Sequence, residues 1–187
     1  MLGCGTGEEA ELLETFGASR ELLTGIDLSS KSIELAQKTY SEVDFVVGDM
    51  NELPFEDESF DLIFHPVSNN YVEDVYHIWN ECYRILKKGG RLLSGLDNGI
   101  SFLFEENEPL KVVNPLPFNP LKMSPEKRNA MIANGDGIQF SHTLEEQIGG
   151  QLKAGFTLKA LYEDRDRDGG NEIGKYYPQY FATFSVK

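Results

Sequence analysis

The sequence predicts an α/β fold with a mostly parallel sheet, on three observations. Short apolar runs of strand length alternate with segments of helical periodicity. A glycine-rich turn leads directly into the first helix, and an acidic residue follows each of the first two strands. In chain order we expect helix 7–17, strand 22–27, helix 30–40, strand 43–48, strand 60–66, helix 71–87 and strand 90–97.

Residues 3–7, here called the glycine loop, contain three alternating glycines ahead of the first helix. Glycine lets the backbone approach a ligand closely, and N–H groups at a helix start point toward an anionic or carboxylate-bearing group. Glu8 and Glu9 suit the positive end of the helix dipole but would repel a phosphate. We therefore expect a less anionic ligand, the alternative being that the loop is only a turn.

Acidic residues at the ends of the first two predicted strands indicate contacts with a nucleoside. Asp27 lies 20 residues beyond the glycine loop and can accept hydrogen bonds from both ribose hydroxyls. The alternative is a cap for the next helix, but Ser29 and Ser30 already offer caps. Asp49 can receive an adenine amino group while Met50 packs on the base, the alternative being a turn acid.

Helix 71–87 has an apolar face, so we expect Trp79 to pack in the core rather than stack on a ligand. The residues of this face are Val72, Val75, Trp79, Cys82, Tyr83 and Leu86. A glycine pair, Gly89-Gly90, then stops the helix ahead of strand 90–97.

Residues 98–140 break the alternation of strands and helices. Five prolines interrupt regular structure and many apolar side chains accompany them, as is typical of a functional lid. The alternative is a disordered or purely packing loop. Within and after this segment we expect a turn at 135–137, a short strand at 138–143 and a helix at 144–154.

Thr143 and Glu146 form the pattern of a capping box for that last helix. His142 beside the cap is interpreted as structural, with approach to a ligand as the alternative. Two alternating segments, 156–162 and 180–186, predict an antiparallel hairpin that closes the domain, with a solvated charged connection at 163–175.

Composition restricts the function. The 187 residues are 40% apolar and fit one domain, 1–187. The net charge of −14 disfavours nucleic-acid and anionic-membrane partners. Cys4 and Cys82 give neither a disulfide framework nor a metal-ligand cluster, and we expect Cys4 to be a small filler. With no membrane-length apolar run or signal-peptide pattern, we expect a cytoplasmic protein; the sequence leaves the oligomeric state open, with a homodimer as one candidate.

Six motifs occur in order over residues 2–97, and together they resemble a class I S-adenosylmethionine-dependent methyltransferase of the branch acting largely on small molecules. The resemblance implies a Rossmann-like, doubly wound sheet of order 3-2-1-4-5-7-6, mostly parallel with an antiparallel last strand. The motifs are Leu2 to Gly7, Gly25-Ile26-Asp27, Gly48-Asp49-Met50, Leu53-Pro54-Phe55, Ser59-Phe60-Asp61 and Leu86-Lys87-Lys88-Gly89-Gly90.

The resemblance also implies a site for S-adenosylmethionine. Its methionine part would lie on the glycine loop, its ribose on Asp27 and its adenine between Asp49 and flanking apolar groups. His65, Asn69 and Tyr71, with Asn70 between them, would line the face between sulfonium and acceptor, and His65 is the first candidate for a base, a structural histidine being the alternative. The implied cofactor contacts are Gly3, Cys4, Gly5, Gly7, Asp27, Leu28, Asp49, Met50 and His65.

These observations predict methyl transfer to a small-molecule acceptor, with 98–140 shaping the acceptor pocket. Three alternatives stay open: a NAD-dependent oxidoreductase of related fold, a non-catalytic binding module, and a methyltransferase acting on a macromolecule. The resemblance further implies a central first strand ahead of the glycine loop, which Met1-Leu2 cannot replace. We therefore expect the chain to be a truncated product or to have a mis-assigned start.

Overall fold

Alternating strands and helices make up most of the chain, as the sequence predicts. The computed structural model describes residues 1–104, 110–133, 138–164 and 172–187. The strands are β1 Thr24–Asp27, β2 Asp44–Val47, β3 Phe60–His65, β4 Leu86–Asp97, β5 Thr157–Asp164 and β6 Tyr180–Val186. The α-helices are α1 Glu9–Thr15, α2 Ser30–Thr39, α3 Val75–Ile85, α4 Pro125–Ala133 and α5 Gly150–Ala154, the last preceded by a π-helical turn, Glu145–Gly149.

The strands form a two-stranded parallel sheet, β1-β2, and a four-stranded sheet of order β3-β4-β6-β5. Strand β3 is parallel to β4, whereas β6 runs antiparallel to both β4 and β5. The predicted closing hairpin is therefore confirmed. The strand order matches the predicted 3-2-1-4-5-7-6 with β1 as the family's second strand and β6 as its seventh.

A single residue stands where the family's first strand would run. Leu2 forms a parallel bridge with Ile26, and its N–H donates to the Phe64 carbonyl at 3.0 Å. The Ile26 N–H in turn donates to the Met1 carbonyl at 3.0 Å. Leu2 thus links the two sheets at the end of β1 that faces the glycine loop.

Ahead of Leu2, a groove of about 420 Å³ separates β1 from β3. Leu23 and Thr24 line one side of it, and Phe60 and Leu62 line the other. The Met1 ammonium donates to the Thr24 carbonyl at 2.7 Å inside this groove. Burial lowers the pKa of that amino group.

Helix α3 supplies the centre of the main apolar core. It presents an apolar face to the sheet, as predicted, and the Trp79 side chain is fully buried there. The Trp79 indole N–H donates to the Glu146 carbonyl at 2.9 Å, so packing and a satisfied polar group coincide. The buried residues of this face are Val75, Ile78, Trp79, Cys82 and Ile85.

Helix α3 and strand β4 differ from prediction at their boundaries. The helix ends at Ile85 and β4 begins at once with Leu86, four residues earlier than predicted. Gly89, with φ of +79°, lies inside the strand rather than ending the helix. Glycine tolerates this left-handed conformation, so the strand can bend and continue.

The segment 98–140 also differs from prediction. Helix α4 begins at Pro125, because proline suits the first turn of a helix, where its missing N–H costs nothing. The expected strand at 138–143 was wrong: the described residues there form hydrogen bonds to separate loops, from the Phe140 N–H to the Asn70 carbonyl and from the Ser141 N–H to the Phe118 carbonyl. The predicted turn at 135–137 and most of the connection 163–175 lie outside the described residues.

The capping box ahead of the last helical segment is confirmed. The Thr143 hydroxyl accepts from the Glu146 N–H at 3.1 Å, and the Glu146 carboxylate accepts from the Thr143 N–H at 2.8 Å. These reciprocal bonds satisfy donors that a helix start leaves unpaired.

Candidate functional site

A pocket of about 690 Å³ opens beyond the carboxyl ends of β1 and β2, where α/β sheets bind ligands. The glycine loop forms its floor, and the residues that follow β1 and β2 form its walls. The predicted cofactor contacts that line it are Gly3, Gly5, Asp27, Leu28, Asp49 and Met50.

Gly3 is held in a position that only glycine fits. Its φ is +62°, a conformation that side chains oppose. A Cβ atom there would lie 2.5 Å from the Ser68 Cβ and 3.2 Å from the Met50 methyl carbon. The backbone of the glycine loop is therefore bare on its pocket side, which permits close approach of a ligand.

Asp27 connects the glycine loop to the start of α2. One carboxylate oxygen accepts from the Gly5 N–H at 2.9 Å, and the other accepts from the Ser29 N–H at 2.8 Å. Ser29 is the cap of α2, with its hydroxyl accepting from the Ser32 N–H at 3.2 Å. Asp27 can therefore both support the start of α2 and bind a ribose, because each carboxylate oxygen has a second lone pair for a ligand in the pocket.

Asp49 and the apolar groups near it occupy the opposite wall. The Asp49 Oδ1 accepts from both the backbone and side-chain nitrogens of Asn51, each at 2.8 Å. Among the described residues, no partner of Oδ2 is found, so this oxygen can accept from an amino group. Leu28, which is 73% exposed, and Met50 offer the apolar surfaces beside it.

Three of the predicted cofactor contacts, Cys4, Gly7 and His65, do not line this pocket. Gly7 packs against the ring of Phe45, on the side away from the pocket. The Cys4 side chain is buried under the loop, where burial and then the Asp27 charge raise the pKa of its thiol to about 12. It fills space as a neutral group, as the sequence analysis expected of it.

His65 is buried completely and is not part of the pocket wall. Its Nδ1 lies 2.8 Å from the Ser68 hydroxyl and its Nε2 lies 2.5 Å from the Asn69 Oδ1, so both nitrogens are engaged. Burial lowers the pKa of His65 to about 4, although Asn69 and the Leu2 carbonyl act in the opposite direction. This geometry argues against the predicted base role, since a ligand in the pocket cannot reach either nitrogen.

The three residues after Ser68 differ sharply in exposure. Asn69 is 1% exposed and Asn70 is 9% exposed, whereas Tyr71 is 65% exposed and lines the pocket. Of the predicted residues on the acceptor face, only Tyr71 is therefore presented to a ligand. His142 is buried beside them, and its Nε2 donates to the Asn69 carbonyl at 3.1 Å, which favours the structural interpretation.

Described parts of the segment 98–140 pack against the turn that carries Tyr71. The Asn119 side-chain amide donates to the Glu73 carboxylate at 2.8 Å, and the Phe118 N–H donates to the Ser141 hydroxyl at 2.6 Å. Together with the bond from Phe140 to Asn70, these contacts bring the described parts of the segment to the acceptor side of the pocket.

Sequence reasoning missed Ser68 and Asp97. Ser68 lies inside the predicted stretch after β3, but only its contact with Gly3 distinguishes it. Asp97 ends β4, where its carboxylate accepts from the Gly99 N–H at 2.5 Å and from the Asn70 side chain. Burial raises the pKa of Asp97. The signal that could have identified Asp97 is the same as for Asp27, namely a polar side chain at the carboxyl end of a parallel strand.

Comparisons with known proteins bear on the family and the fold of the chain. A family model described as a methyltransferase domain matches residues 1–94. The uncharacterized methyltransferase YbaJ of Bacillus subtilis (strain 168) is 38% identical over 196 residues, an alignment that covers 100% of this chain and 74% of the relative. A demethylmenaquinone methyltransferase of Thermotoga maritima is 41% identical over 92 residues, which cover 49% of this chain and only 40% of that protein.

Among solved structures, an S-adenosylmethionine-dependent methyltransferase from Mesorhizobium loti is similar in fold, with a TM-score of 0.75. The match covers 100% of this chain and 88% of that one at 20% identity, so it bears on the fold alone. Among the described helices, none has the length and apolar character needed to span a bilayer. The family model and the match to YbaJ over the whole of this chain show that this chain belongs to the S-adenosylmethionine-dependent methyltransferases.

Proposed function

We propose that the protein transfers a methyl group from S-adenosylmethionine to a small-molecule acceptor. The observation that carries the proposal is the charge of the pocket. Its walls include the carboxylates of Asp27 and Asp49, and among the described residues that line it there is no lysine or arginine. A ligand with a ribose, a sulfonium and an ammonium suits such walls, whereas the diphosphate of NAD would meet no countercharge there.

In this proposal, each wall of the pocket contacts a different part of the cofactor. Asp27 accepts hydrogen bonds from the ribose hydroxyls while the Gly5 and Ser29 N–H groups hold its carboxylate in place. Asp49 accepts from the adenine amino group through its open oxygen, and Leu28 and Met50 flank the ring. The bare backbone at Gly3 adjoins the methionine part of the ligand.

The bound cofactor supplies a methyl group on a positively charged sulfur, which is already an activated leaving group. The transfer forms one bond from the acceptor atom to the methyl carbon and breaks the bond from that carbon to sulfur. The chain has to align the two partners and exclude water, and alignment alone contributes a large share of a rate enhancement. We propose that Tyr71 and the lid 98–140 do this on the acceptor side, a role supported by the position of Tyr71 in the pocket wall and by the bond from Asn119 to Glu73.

A small molecule is favoured as the acceptor over a macromolecule. The net charge of −14 opposes nucleic acids, and the Thermotoga relative is described as acting on demethylmenaquinone. As further parts of the proposal, we infer a cytoplasmic location, in keeping with the free thiols of Cys4 and Cys82, and we keep a homodimer as an alternative to the monomer.

Replacing Asp27 by alanine tests the cofactor assignment. The Asp27→Ala variant should bind S-adenosylhomocysteine at least about tenfold more weakly by calorimetry, since it loses charge-assisted bonds to the ribose. Asp44→Ala is the matched control. Asp44 is exposed at the opposite end of β2, and its replacement by alanine removes the same charge.

Equal affinities of the Asp27→Ala variant and the wild type would contradict the assignment. A thermal shift with NAD that exceeds the shift with S-adenosylhomocysteine would contradict it as well. Transfer of a labelled methyl group across amine, thiol, phenol and carboxylate acceptors then separates an enzyme from a binding module.

A further inference from the structure

A chain of buried hydrogen bonds runs from the last helical segment to the glycine loop. It passes from Gln147 through Asn69 and His65 to Ser68, and the Ser68 hydroxyl lies 3.2 Å from the Leu2 carbonyl. The side chains of His65 and Gln147 are fully buried, and Asn69 and Ser68 are at most 6% exposed. Bulk water does not reach His65, Asn69 or Gln147, so each of these side chains depends on its hydrogen-bonded neighbours.

The chain of bonds has two directions. When the His65 proton is on Nε2, the ring donates to Asn69, and the Asn69 amide donates to Gln147 at 2.7 Å. The Ser68 hydroxyl then has one proton for two acceptors, the His65 Nδ1 and the Leu2 carbonyl. In this direction the Gln147 side-chain nitrogen is also buried without an acceptor among the described residues, a costly arrangement.

Exchanging the nitrogen and oxygen of both carboxamides reverses the direction without moving another atom. Gln147 then donates to Asn69, Asn69 donates to the His65 Nε2, and the Nδ1 proton is donated to the Ser68 oxygen. The Ser68 hydroxyl is free to donate to the Leu2 carbonyl. The bare Gln147 position then holds an oxygen instead of a nitrogen, and an under-satisfied carbonyl oxygen is less rare in protein interiors than an orphaned N–H.

The Ser68 end of this series of hydrogen bonds is part of the cofactor pocket. Ser68 lines the pocket, and its Cβ and Oγ would lie 2.5 and 2.7 Å from a Cβ on Gly3. The Ser68 hydroxyl donates to the Leu2 carbonyl, which belongs to the peptide unit joining Leu2 to Gly3, so the rotation of the Ser68 side chain decides whether this bond to the start of the glycine loop forms. His65 fixes that rotation from the buried side.

We propose that His65 is a positioning residue that carries its proton on Nδ1, and that its hydrogen bond to Ser68 sets the glycine loop for cofactor binding. This inference rests on the proposed function for its role in binding. The tautomer itself is a property of the ligand-free protein and can be measured without a cofactor.

Nitrogen-15 NMR of the imidazole provides the first test. The coupling pattern and the nitrogen shifts of His65 should show a protonated Nδ1 and a bare Nε2 at pH 7.5. A protonated Nε2 would overturn the proposal. Because this experiment uses the wild type alone, its result does not depend on whether the protein binds S-adenosylmethionine.

A pair of variants provides the second test. In His65→Asn the amide nitrogen takes the place of Nδ1 and can still donate to Ser68, whereas in His65→Gln it takes the place of Nε2 and cannot. Binding of S-adenosylhomocysteine should stay within about twofold of wild type for His65→Asn and weaken about fivefold for His65→Gln, as expected for one hydrogen bond. Equal affinities of the two variants would overturn the proposal.

The variant Ser68→Ala tests the same hydrogen bond if both His65 variants fail to fold. It removes the bonded hydroxyl and should weaken binding of S-adenosylhomocysteine about fivefold. Ser94→Ala is the matched control, because Ser94 is a fully buried serine beside His65 on β4 with no partner for its hydroxyl among the described residues. Unchanged binding by Ser68→Ala contradicts the proposal, and failure of the wild type to bind contradicts the proposed function instead.

Discussion

At the scale of single residues, the site depends on polar side chains with two partners each. Asp27 accepts backbone bonds on both carboxylate oxygens, and His65 engages both of its ring nitrogens. A side chain restrained twice has little rotational freedom to lose when a ligand binds, which favours affinity. The two residues differ in function, because Asp27 faces the pocket and His65 does not.

Burial of His65 predicts a pH dependence of stability. Its pKa is lowered to about 4, so between that pH and its unfolded value of about 6.5 the unfolded chain binds more protons than the folded one. The stability due to a neutral His65 is therefore complete above about pH 6.5 and is lost as the pH falls toward 4. The full loss is about 3 kcal/mol.

Urea unfolding between pH 7.5 and 4.5 measures this effect against the His65→Asn variant, which does not titrate. The free energy of unfolding of the wild type should fall relative to the variant by about 1.4 kcal/mol per pH unit below 6. Taking the difference between the two proteins cancels the contribution of carboxylates such as Asp97. A difference that is flat with pH would show that His65 takes up its proton as readily in the folded state as in the unfolded one, which contradicts the lowered pKa.

Which residues the sequence could predict follows from how local their signals are. Asp27 and Asp49 come directly after apolar strands, and that position alone places them at the ligand edge of the sheet. The placement of His65 needs α3 and the helical segment after Thr143, which pack over it from distant parts of the chain. No local pattern distinguishes such a histidine from one at the pocket surface.

At the scale of elements, the glycine loop and the turn after β3 form one unit. Ser68 and Met50 both approach Gly3, so the segments that follow β2 and β3 meet at a single backbone position of the glycine loop. The loop was predictable because alternating glycines ahead of a helix are a local pattern. The strand expected at 138–143 was wrong because that segment pairs with loops at Asn70 and Phe118, which sequence periodicity does not record.

Alanine substitutions at two glycines separate backbone strain from steric fit. Gly3 and Gly17 both have a positive φ, +62° and +94°, but a Cβ on Gly17 would meet nothing within 4 Å. Gly17→Ala should cost about 1 kcal/mol of unfolding free energy for the left-handed backbone. Gly3→Ala should cost about 2–4 kcal/mol, since the contact with Ser68 adds overpacking.

Urea unfolding measures both costs, and calorimetry with S-adenosylhomocysteine should show about tenfold weaker binding only for Gly3→Ala. Equal losses of stability in the two variants would mean that Ser68 moves aside freely. In that case the glycine loop would not depend on the turn after β3.

At the scale of the whole molecule, the excess of acidic residues is the dominant electrostatic feature. The chain has 31 acidic and 17 basic residues, for a net charge of −14. The ion pairs of the described residues are mostly at the surface, where each contributes little. The compact state therefore carries a net self-repulsion that salt can screen.

We expect the thermal midpoint of unfolding to rise by about 2–4 °C when NaCl is increased from about 20 to about 300 mM, the shift that corresponds to about 1 kcal/mol in a chain of this size. Differential scanning calorimetry measures the shift. Glu11→Lys is a suitable comparison, because Glu11 is exposed and the change reduces the net charge. This variant should gain less from salt than the wild type, and a midpoint that falls with NaCl would contradict the electrostatic account.

The division of the strands into two sheets has a thermodynamic consequence for the ligand. The pocket takes Asp27 and Asp49 from the β1-β2 sheet and Ser68 and Tyr71 from the segment after β3, in the other sheet. Between these sheets, Leu2 forms the only bridge found among the described residues. A ligand that contacts both walls holds the two sheets together, so its binding stabilises the folded chain. At a free ligand concentration of 100 times the dissociation constant, the gain is about 2.7 kcal/mol.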